Sequence, residues 1–197
     1  MIGIIGAMEE EVAALKSEMA DAKVTEFASM TFYKGTLCGK DAVVVRSGIG
    51  KVNAAICAQI LVDKFGVDTL INTGIAGSLD ARIDIGDMVI STDAVHHDMD
   101  ATIFGDAIGQ VPRMDTRTFP ADPHLIELAV KANEKANPQI HTFTGRVASG
   151  DQFISSGEVK ARIVENFQAL CTEMEGAGIA HAAYLNKVSY VIIRAIS

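Results

Sequence analysis

The sequence predicts an α/β fold, a single domain in which a mixed sheet is flanked by helices, for three reasons. Apolar strand-like runs alternate with helical patterns along the chain. A glycine turn joins two of the runs into an antiparallel hairpin. The 197 residues, of which 49% are hydrophobic and 21% charged, are enough to fill one sizeable core, and no internal repeat or linker divides them.

The periodicity of the apolar residues places each element. Continuous or alternating apolar runs predict strands near 2–6, 30–38, 41–47, 69–73, 87–92, 141–148 and 188–196, and helical spacing predicts helices near 9–20, 51–65, 123–136, 158–167 and 174–186. Gly39-Lys40 forms the turn of the hairpin. The irregular stretch from 96 to 122 is longer than an ordinary connection, so we expect it to cover a site or build an interface.

Acidic residues follow the first strand directly. Glu9, Glu10 and Glu11 open the first helix, and ligands of open parallel sheets bind at the carboxyl ends of the strands. Acidic groups also complement the dipole at a helix N-terminus, and this interpretation is favoured for Glu9 and Glu10. Glu11 lies at the edge of the apolar stripe of the helix and is expected to be half-buried, and the residues alone leave both roles open for it.

Glycine-rich turns follow two further strands, at 47–51 and 72–78. Neither turn matches a nucleotide phosphate loop or the dinucleotide fingerprint. Gly74 and Gly77 therefore indicate either a close approach of the backbone to a flat ligand or two tight turns with positive φ, and the residues alone favour neither.

A second pair of carboxylates stands where the strand Leu170-Cys171-Thr172 passes into a helix rich in small residues, whose glycines indicate close packing. Complementarity to the helix dipole is sufficient to explain an acidic residue at the position of Glu173, whereas Glu175 is expected to face a ligand. Phe153, after another strand, is a candidate to stack on a flat aromatic ligand, although core packing is the more common fate of a lone phenylalanine.

Composition excludes several classes of function. A net charge of −8 and a pI near 5.0 argue against a nucleic-acid partner. No apolar run predicts a membrane span and no basic N-terminal region predicts a leader, so we expect a cytoplasmic protein without a membrane partner.

The three cysteines, without a CxxC pair, are expected to be reduced core thiols. His96-His97 is expected to be a loop or interface pair rather than a metal site.

Six motifs occur in order along the chain. They are Gly-Ala-Met-Glu-Glu-Glu-Val at 6–12, Ser-Gly-Ile-Gly-Lys at 47–51, Asn-Thr-Gly-Ile-Ala-Gly at 72–77, His-Asp-x-Asp-Ala-Thr-x-Phe-Gly at 97–105, Ser-Gly-Asp-x-Phe-Ile at 149–154 and Glu-Met-Glu at 173–175. Their ordered set resembles the 5′-methylthioadenosine/S-adenosylhomocysteine nucleosidases over residues 2–197. The resemblance implies the nucleoside phosphorylase-like α/β fold, a homodimer of the cytoplasm, and a role in methionine salvage and nucleoside catabolism. It also implies hydrolysis of the N-glycosidic bond of both thio-nucleosides, with water as co-substrate, no cofactor and no metal, to release adenine and the 5′-thio-substituted ribose.

The resemblance further implies roles for individual residues. Glu11 corresponds to the acid that activates the attacking water, and Glu175 to the acid that holds the ribose hydroxyls. The remaining substrate-binding positions are Met8 and Ile49 toward the thioalkyl group, Met174 at the ribose, Phe153, Ile154, Ala76 and Gly77 at adenine, Phe104 and Pro112 on the long loop at the 5′ pocket and the dimer contact, and Arg194 and Ser197 in the last strand.

The main departure from the family lies at the C-terminus. In the family an Asp that follows an Arg-Ala-Ile-Ser run protonates adenine, and here the run is Arg194 to Ser197, after which the sequence ends. We therefore expect one nucleosidase domain over residues 1–197, truncated at its C-terminus before the general acid and a final helix. Loss of a positioned acid typically costs about 10²–10⁴ in rate, so this chain is expected to be slow or inactive.

Two alternatives stay open. A purine nucleoside phosphorylase of the same fold would bind phosphate, for which the acidic residues at 9–11 and the hydroxyl-free Ile75 are poorly suited. A non-catalytic nucleoside-binding module would be consistent with the absent acid. Ile75, Asp106 and Ile108 depart from residues common in the family, so the sequence does not determine the preferred 5′-thio substituent.

Overall fold

The structure, a computed structural model, describes residues 1–197 and confirms the mixed α/β fold. It contains ten strands and five helices. In chain order they are β1 (Ile2–Gly6), α1 (Glu9–Ser17), β2 (Ala20–Phe27), β3 (Met30–Leu37), β4 (Lys40–Arg46), α2 (Lys51–Phe65), β5 (Thr69–Ser78), β6 (Met88–His96), β7 (Phe119–Pro120), α3 (Pro123–Ala136), β8 (Thr142–Ser149), α4 (Gly157–Phe167), β9 (Cys171–Glu173), α5 (Gly176–Asn186) and β10 (Ser189–Ile196).

All strands belong to one sheet. Strand β1 lies between β4 and β5 and is parallel to both, and β10 runs parallel to β5 on its other side. The sheet then curls on itself, because β10 also pairs with β6, β6 with β8, β8 with β9, and β9 again with β5. The carboxyl ends of β1, β4, β5 and β10 consequently meet at one edge, where open α/β sheets bind ligands.

The predicted hairpin is confirmed, since β3 and β4 pair antiparallel across Cys38 and Gly39, and β2 adds a third antiparallel strand that the sequence did not predict. Seven of the eight residues of β2 are exposed, so the strand has no buried face to produce an alternating apolar pattern. Its charged and polar side chains are typical of an edge strand. The first helix accordingly ends at Ser17 instead of continuing to residue 20.

Two strands are longer than predicted. Strand β5 continues through the glycine-rich run to Ser78, and β6 continues to His96. The stretch from 96 to 122 is not wholly irregular, because it contains a single 3₁₀ turn at Thr102–Phe104 and the short β7, which pairs with β6. These extensions involve polar and glycine residues that carry no strand pattern of their own but are held by the neighbouring strands.

The main core lies between the sheet and the packed pair α2 and α5, while α1 covers β1 and β4 on a smaller apolar cluster. The prediction of core thiols is correct for Cys57 and Cys171, which are buried, and wrong for Cys38, which is exposed at the turn of the hairpin. No helix in the structure combines the length and the apolar character needed to cross a membrane.

The predicted close packing of the glycine-containing helix is confirmed at Gly178. A Cβ on this residue would lie 2.7 Å from the carbonyl oxygen and 3.2 Å from the Cα of Lys51, at the start of α2. Only glycine therefore allows α5 to approach α2 this closely, and the two helices pack backbone against backbone at this point.

Replacement of Gly178 by alanine tests this packing. Gly178→Ala should lower the free energy of unfolding by about 1–2 kcal/mol, because overpacking against backbone outweighs the roughly 1 kcal/mol that alanine contributes to helix propensity. Urea unfolding would measure the change. The matched control is Gly157→Ala in α4, where a Cβ meets no atom within 4 Å and the stability should stay equal or rise. A Gly178→Ala variant as stable as the parent would contradict the close contact.

Candidate active site

Glu11 is held by backbone N–H groups from two elements. Its Oε2 accepts hydrogen bonds from the N–H of Ala7 (2.7 Å) and of Met8 (3.0 Å), which precede α1. Its Oε1 accepts from the N–H of Ile75 in β5 (3.1 Å). The side chain is half-buried, as predicted, so the carboxylate bridges the β1–α1 turn and the edge of β5. Glu9 and Glu10 are exposed.

Arg194 lies at the centre of the site and is fully buried. It forms an ion pair with Glu173, and its Nη2 donates to the Oδ1 of Asn72 (2.5 Å). Glu173 in turn accepts from the Ser149 hydroxyl and from the N–H groups of Glu175 and Gly176 at the start of α5. Buried charges persist where they are paired and hydrogen-bonded in this way, so these residues form one rigid polar cluster.

Glu175 is the second acid that faces this cluster. Its Oε1 accepts from the N–H of Gly50 (2.9 Å), and its Oε2 lies 3.8 Å from Nη2 of Arg194. Burial, followed by the negative charge of Glu173, raises the pKa of Glu175 to about 7, and the Gly50 hydrogen bond and Arg194 offset this only in part. A carboxyl group poised near neutrality in a cleft is a common feature of functional sites.

Gly74 explains how the Arg194 guanidinium and the Glu11 carboxylate come close to each other. A Cβ at this position in β5 would lie 2.2 Å from Nη1 of Arg194 and 2.3 Å from Oε1 of Glu11. The glycine therefore leaves the space that both side chains share. Neither Gly74 nor Gly77 has a positive φ, so the tight-turn interpretation is wrong, whereas Gly48 and Gly50 do lie in that region.

The residues predicted for the thioalkyl and ribose groups lie beside these acids. Met8 and Met174 are half-buried, and Ile49 is 53% exposed. Met8 and Ile49 line a surface cavity of about 390 Å³ together with Ala7 and Gly48. The cavity opens next to the backbone groups that hold Glu11 and Glu175.

The residues predicted for adenine lie at the ends of β5 and β8. Ala76 is buried and Gly77 half-buried, and Ile154 packs at the border of the apolar cluster formed around β8 and α4. Phe153 is 87% exposed, so the expectation that it packs in the core is wrong. Its ring projects from the segment after β8 and is available for stacking.

Three predicted residues lie at the surface. Phe104 is 85% exposed and Pro112 is also exposed, both on the segment between β6 and β7. Ser197 is exposed, and its N–H donates to the carbonyl oxygen of Ala76 (3.1 Å), which continues the pairing of β10 with β5. Arg194, by contrast, belongs to the buried cluster with Glu173.

Glu173, Asn72 and Ser149 are site residues that the sequence analysis did not select. Glu173 and Asn72 contact Arg194 directly. The hydroxyl of Ser149 donates a hydrogen bond to Glu173 and accepts one from the N–H of Ala177 (2.7 Å). The motifs that contain all three residues were visible in the sequence. Their partnership with Arg194 was not, because it joins residues at least 21 positions apart in the chain.

The paired histidines do not lie on an exposed loop. His96 and His97 are buried, and Nε2 of His96 lies 3.3 Å from Nδ1 of His181 in α5. Burial and the nearby Lys51 lower the pKa of His96 to about 4, so this ring stays neutral at physiological pH. The histidine pair is therefore buried within the fold, with His96 at the end of β6 and His97 in the turn that follows it.

The cluster can bind a polyhydroxylated ligand and activate water. Two carboxylates from the starts of α1 and α5 converge on one edge of the sheet, with a buried guanidinium between them. One carboxylate can accept a proton from water, and the other can accept hydrogen bonds from hydroxyl groups. Apolar side chains flank both ends of the cluster, as is usual in small-molecule sites.

Known proteins resemble the chain over its full length. The profile of the phosphorylase superfamily matches residues 1–197. The chain is 46% identical to the 5′-methylthioadenosine/S-adenosylhomocysteine nucleosidase of Staphylococcus saprophyticus over 199 residues, which cover 100% of the chain and 86% of that protein.

Solved structures of similar proteins share the fold. The chain superimposes with a TM-score of 0.95 on the nucleosidase of Colwellia psychrerythraea in complex with adenine, at 45% identity, covering 100% of the chain and 81% of that structure. The TM-score is 0.94 for the nucleosidase of Neisseria meningitidis in complex with methylthio-immucillin-A, at 41% identity and with coverage of 100% and 84%.

The raised pKa of Glu175 predicts a pH-dependent stability. Between the pKa of an ordinary glutamate (about 4.3) and about 7, the folded protein keeps a proton that the unfolded chain has lost, so stability falls as pH rises through this range. Glu175→Gln removes this dependence. As the pH is raised from 5 to 8, the free energy of unfolding of the variant minus that of the parent should increase by on the order of 2 kcal/mol.

Urea unfolding of both proteins at several pH values would measure this difference. Glu10→Gln, at an exposed position of α1, is the matched control and should show a difference from the parent that does not change with pH. An equal stability difference at pH 5 and pH 8 for Glu175→Gln would contradict the assignment.

Proposed function

The chain belongs to the phosphorylase superfamily and, within it, to the 5′-methylthioadenosine/S-adenosylhomocysteine nucleosidases, and we propose how its residues carry out the reaction of this family. The reaction is hydrolysis of the N-glycosidic bond of both thio-nucleosides, which releases adenine and the thioribose. The one observation that carries the assignment of residues is the convergence of Glu11 and Glu175 on one sheet edge around buried Arg194.

Glu11 acts as the general base in this proposal. Cleavage of a glycosidic bond builds positive charge on the sugar, and a nearby carboxylate both stabilises that charge and accepts a proton from the attacking water. Adenine departs with the electron pair of the broken bond and takes up a proton from solvent, because the acid that the family uses does not lie within residues 1–197. Three backbone N–H groups hold the Glu11 carboxylate in one orientation. Nη1 of Arg194 lies beside Oε1 of Glu11 at Gly74, so a donor and an acceptor are close together where water would be oriented.

Glu175 binds the ribose hydroxyls, with Met174 against the sugar. Its Oε1 is oriented by Gly50, and Glu173 with Arg194 fixes the start of α5 from which it projects. The adenine ring would stack on exposed Phe153 and lie along Ile154, Ala76 and Gly77, while the 5′ substituent would contact Met8 and Ile49. Arg194 and Ser197 place the end of β10 along this edge.

The experiment that tests the function is incubation of the chain with methylthioadenosine and with S-adenosylhomocysteine. Free adenine would be followed by chromatography against a control without protein, with and without inorganic phosphate. Phosphate-independent release supports hydrolysis, whereas release that requires phosphate and forms a sugar phosphate would favour a phosphorylase. Adenine release also tests whether residues 1–197 suffice for turnover. Binding of either nucleoside without release is expected both of a nucleosidase chain that lacks its general acid and of the non-catalytic binding module, so that outcome would show an intact binding site without turnover.

We also propose a homodimer that works in the cytoplasm, in methionine salvage. Helices α2 and α5 pack side by side and leave Val52 (68% exposed), Ile56 and Leu185 on the surface. Ile103 and Phe104 on the loop after β6 are also exposed. Apolar surface of this extent is typical of an interaction site, and a second copy of the chain would cover it.

Glu11→Gln tests the general base. The variant should release adenine about 10²–10⁴ times more slowly than the parent, because glutamine cannot accept the proton, while the dissociation constant for methylthioadenosine stays close to that of the parent. Glu9→Gln is the matched control, since Glu9 lies in the same helical turn but is exposed and pairs with Lys16 (2.8 Å). Undiminished turnover in Glu11→Gln would exclude the role.

Val52→Glu tests the dimer. A charge in the centre of the proposed interface should convert the protein to a monomer at concentrations where the parent is a dimer, as measured by light scattering. Val24→Glu is the matched control, because Val24 is 57% exposed on β2. Strand β2 is the last strand of the sheet, at the opposite end of the strand order from β10 and β6, which α5 contacts. A monomeric parent, or a dimeric Val52→Glu variant, would contradict this assignment.

A further inference from the structure

We propose that a groove beside the 5′ end of the nucleoside binds the amino-acid end of S-adenosylhomocysteine, with Arg46 on its carboxylate and Glu10 on its ammonium group. The inference rests on the proposed function. S-adenosylhomocysteine has an amino-acid end that methylthioadenosine lacks. The inference names the residues that bind this end, and these residues take no part in bond cleavage.

The groove lies between the β1–α1 turn and the β4–α2 turn. The two turns are joined by a hydrogen bond from the N–H of Gly48 to the carbonyl oxygen of Ala7 (3.1 Å), and they enclose the cavity of about 390 Å³ described above. The same turns hold both carboxylates, since Ala7 donates to Glu11 and Gly50 donates to Glu175. The groove therefore begins where the catalytic site ends, on the side of Met8 and Ile49.

The outer part of the groove carries one cation and one anion with little internal pairing. The guanidinium of Arg46, 56% exposed, has a single ion-pair contact, at 3.8 Å, with the carboxylate of Glu9. Glu9 is already paired with Lys16 through both of its oxygens, at 2.8 and 2.9 Å. The planar donors of Arg46 are thus available for a bidentate contact with a carboxylate. Glu10 is exposed, lines the same groove and forms no ion pair.

These groups match the chemical difference between the two substrates. Both nucleosides carry a sulfur at the 5′ carbon, and methylthioadenosine ends there in a methyl group, which Met8 and Ile49 can contact. S-adenosylhomocysteine continues through two methylene groups to a carbon that bears an ammonium and a carboxylate group. The methylene groups suit the apolar inner wall, and the opposite charges suit Glu10 and Arg46 at the outer end. The groove would thus favour a zwitterionic 5′ substituent over a neutral one.

The test is the selectivity between the two nucleosides, as the ratio of their kcat/KM values for adenine release, or of their dissociation constants if adenine is not released. Arg46→Gln and Glu10→Gln should each lower the preference for S-adenosylhomocysteine by up to about fivefold, the upper end of the range expected for exposed charge pairs, and leave methylthioadenosine unaffected. Lys23→Gln, on exposed β2, lowers the net charge by one, as Arg46→Gln does, and should leave the ratio unchanged.

A truncated substrate sharpens the assignment. The analogue with a 3-aminopropylthio group retains the ammonium but lacks the carboxylate, so Arg46→Gln should not weaken its use, whereas Glu10→Gln should. For the parent, the preference for S-adenosylhomocysteine should also fall as salt is added, because exposed charges are screened.

The outcomes separate this inference from the proposed function. If the parent neither binds nor cleaves methylthioadenosine, the proposed function fails and the groove assignment fails with it. If the parent uses both nucleosides but Arg46→Gln and Glu10→Gln change both equally or neither, only the groove assignment is overturned. A loss confined to S-adenosylhomocysteine in both variants, and extending to the truncated analogue in Glu10→Gln but not in Arg46→Gln, supports it.

Discussion

The ion pair between buried Arg194 and Glu173 is the interaction on which the rest of the site depends. Arg194 reaches it from β10, Glu173 from the junction of β9 and α5, and Asn72 accepts from the same guanidinium while its amide donates to Ile5 in β1 (3.0 Å). The pair therefore connects strands that are distant in the chain. Removing one partner of such a pair leaves a buried charge without compensation, which typically costs about 3–5 kcal/mol.

The same pair also affects the chemical state of Glu175. Burial is the main cause that raises the pKa of Glu175, the negative charge of Glu173 raises it further, and the Gly50 hydrogen bond and Arg194, at 3.8 Å, offset this in part. A carboxyl group with a pKa near neutrality can accept hydrogen bonds in its charged form or donate one in its neutral form. The ion pair is thus both a structural contact and a source of the charges that act on Glu175.

Backbone geometry, more than side-chain packing, positions the acids and the groove beside them. Glu11 and Glu175 are oriented by N–H groups of turns, and the turn that includes Gly48 and Gly50 depends on their positive φ angles. Because the two turns are hydrogen-bonded to each other, Glu11, Glu175 and the cavity beside Met8 and Ile49 lie along the same pair of turns. In our proposal, specificity for the 5′ substituent is set at Arg46 and Glu10, apart from the two acids that we propose to act on the sugar and the attacking water.

The sequence by itself determined the α/β class, the hairpin and the five helices, and it predicted Glu11 and Glu175 as candidate site residues, because apolar periodicity and ordered motifs are local properties that each segment carries alone. Only the tertiary structure decided four other features. They are the formation of strand β2, the exposure of Phe153, the exposure of Cys38 and the burial of His96. The same holds for the function of Gly74, which makes room for Arg194 and Glu11 from distant parts of the chain. These features depend on which segments meet across the sheet, and pairing over long separations leaves no periodic trace in the sequence.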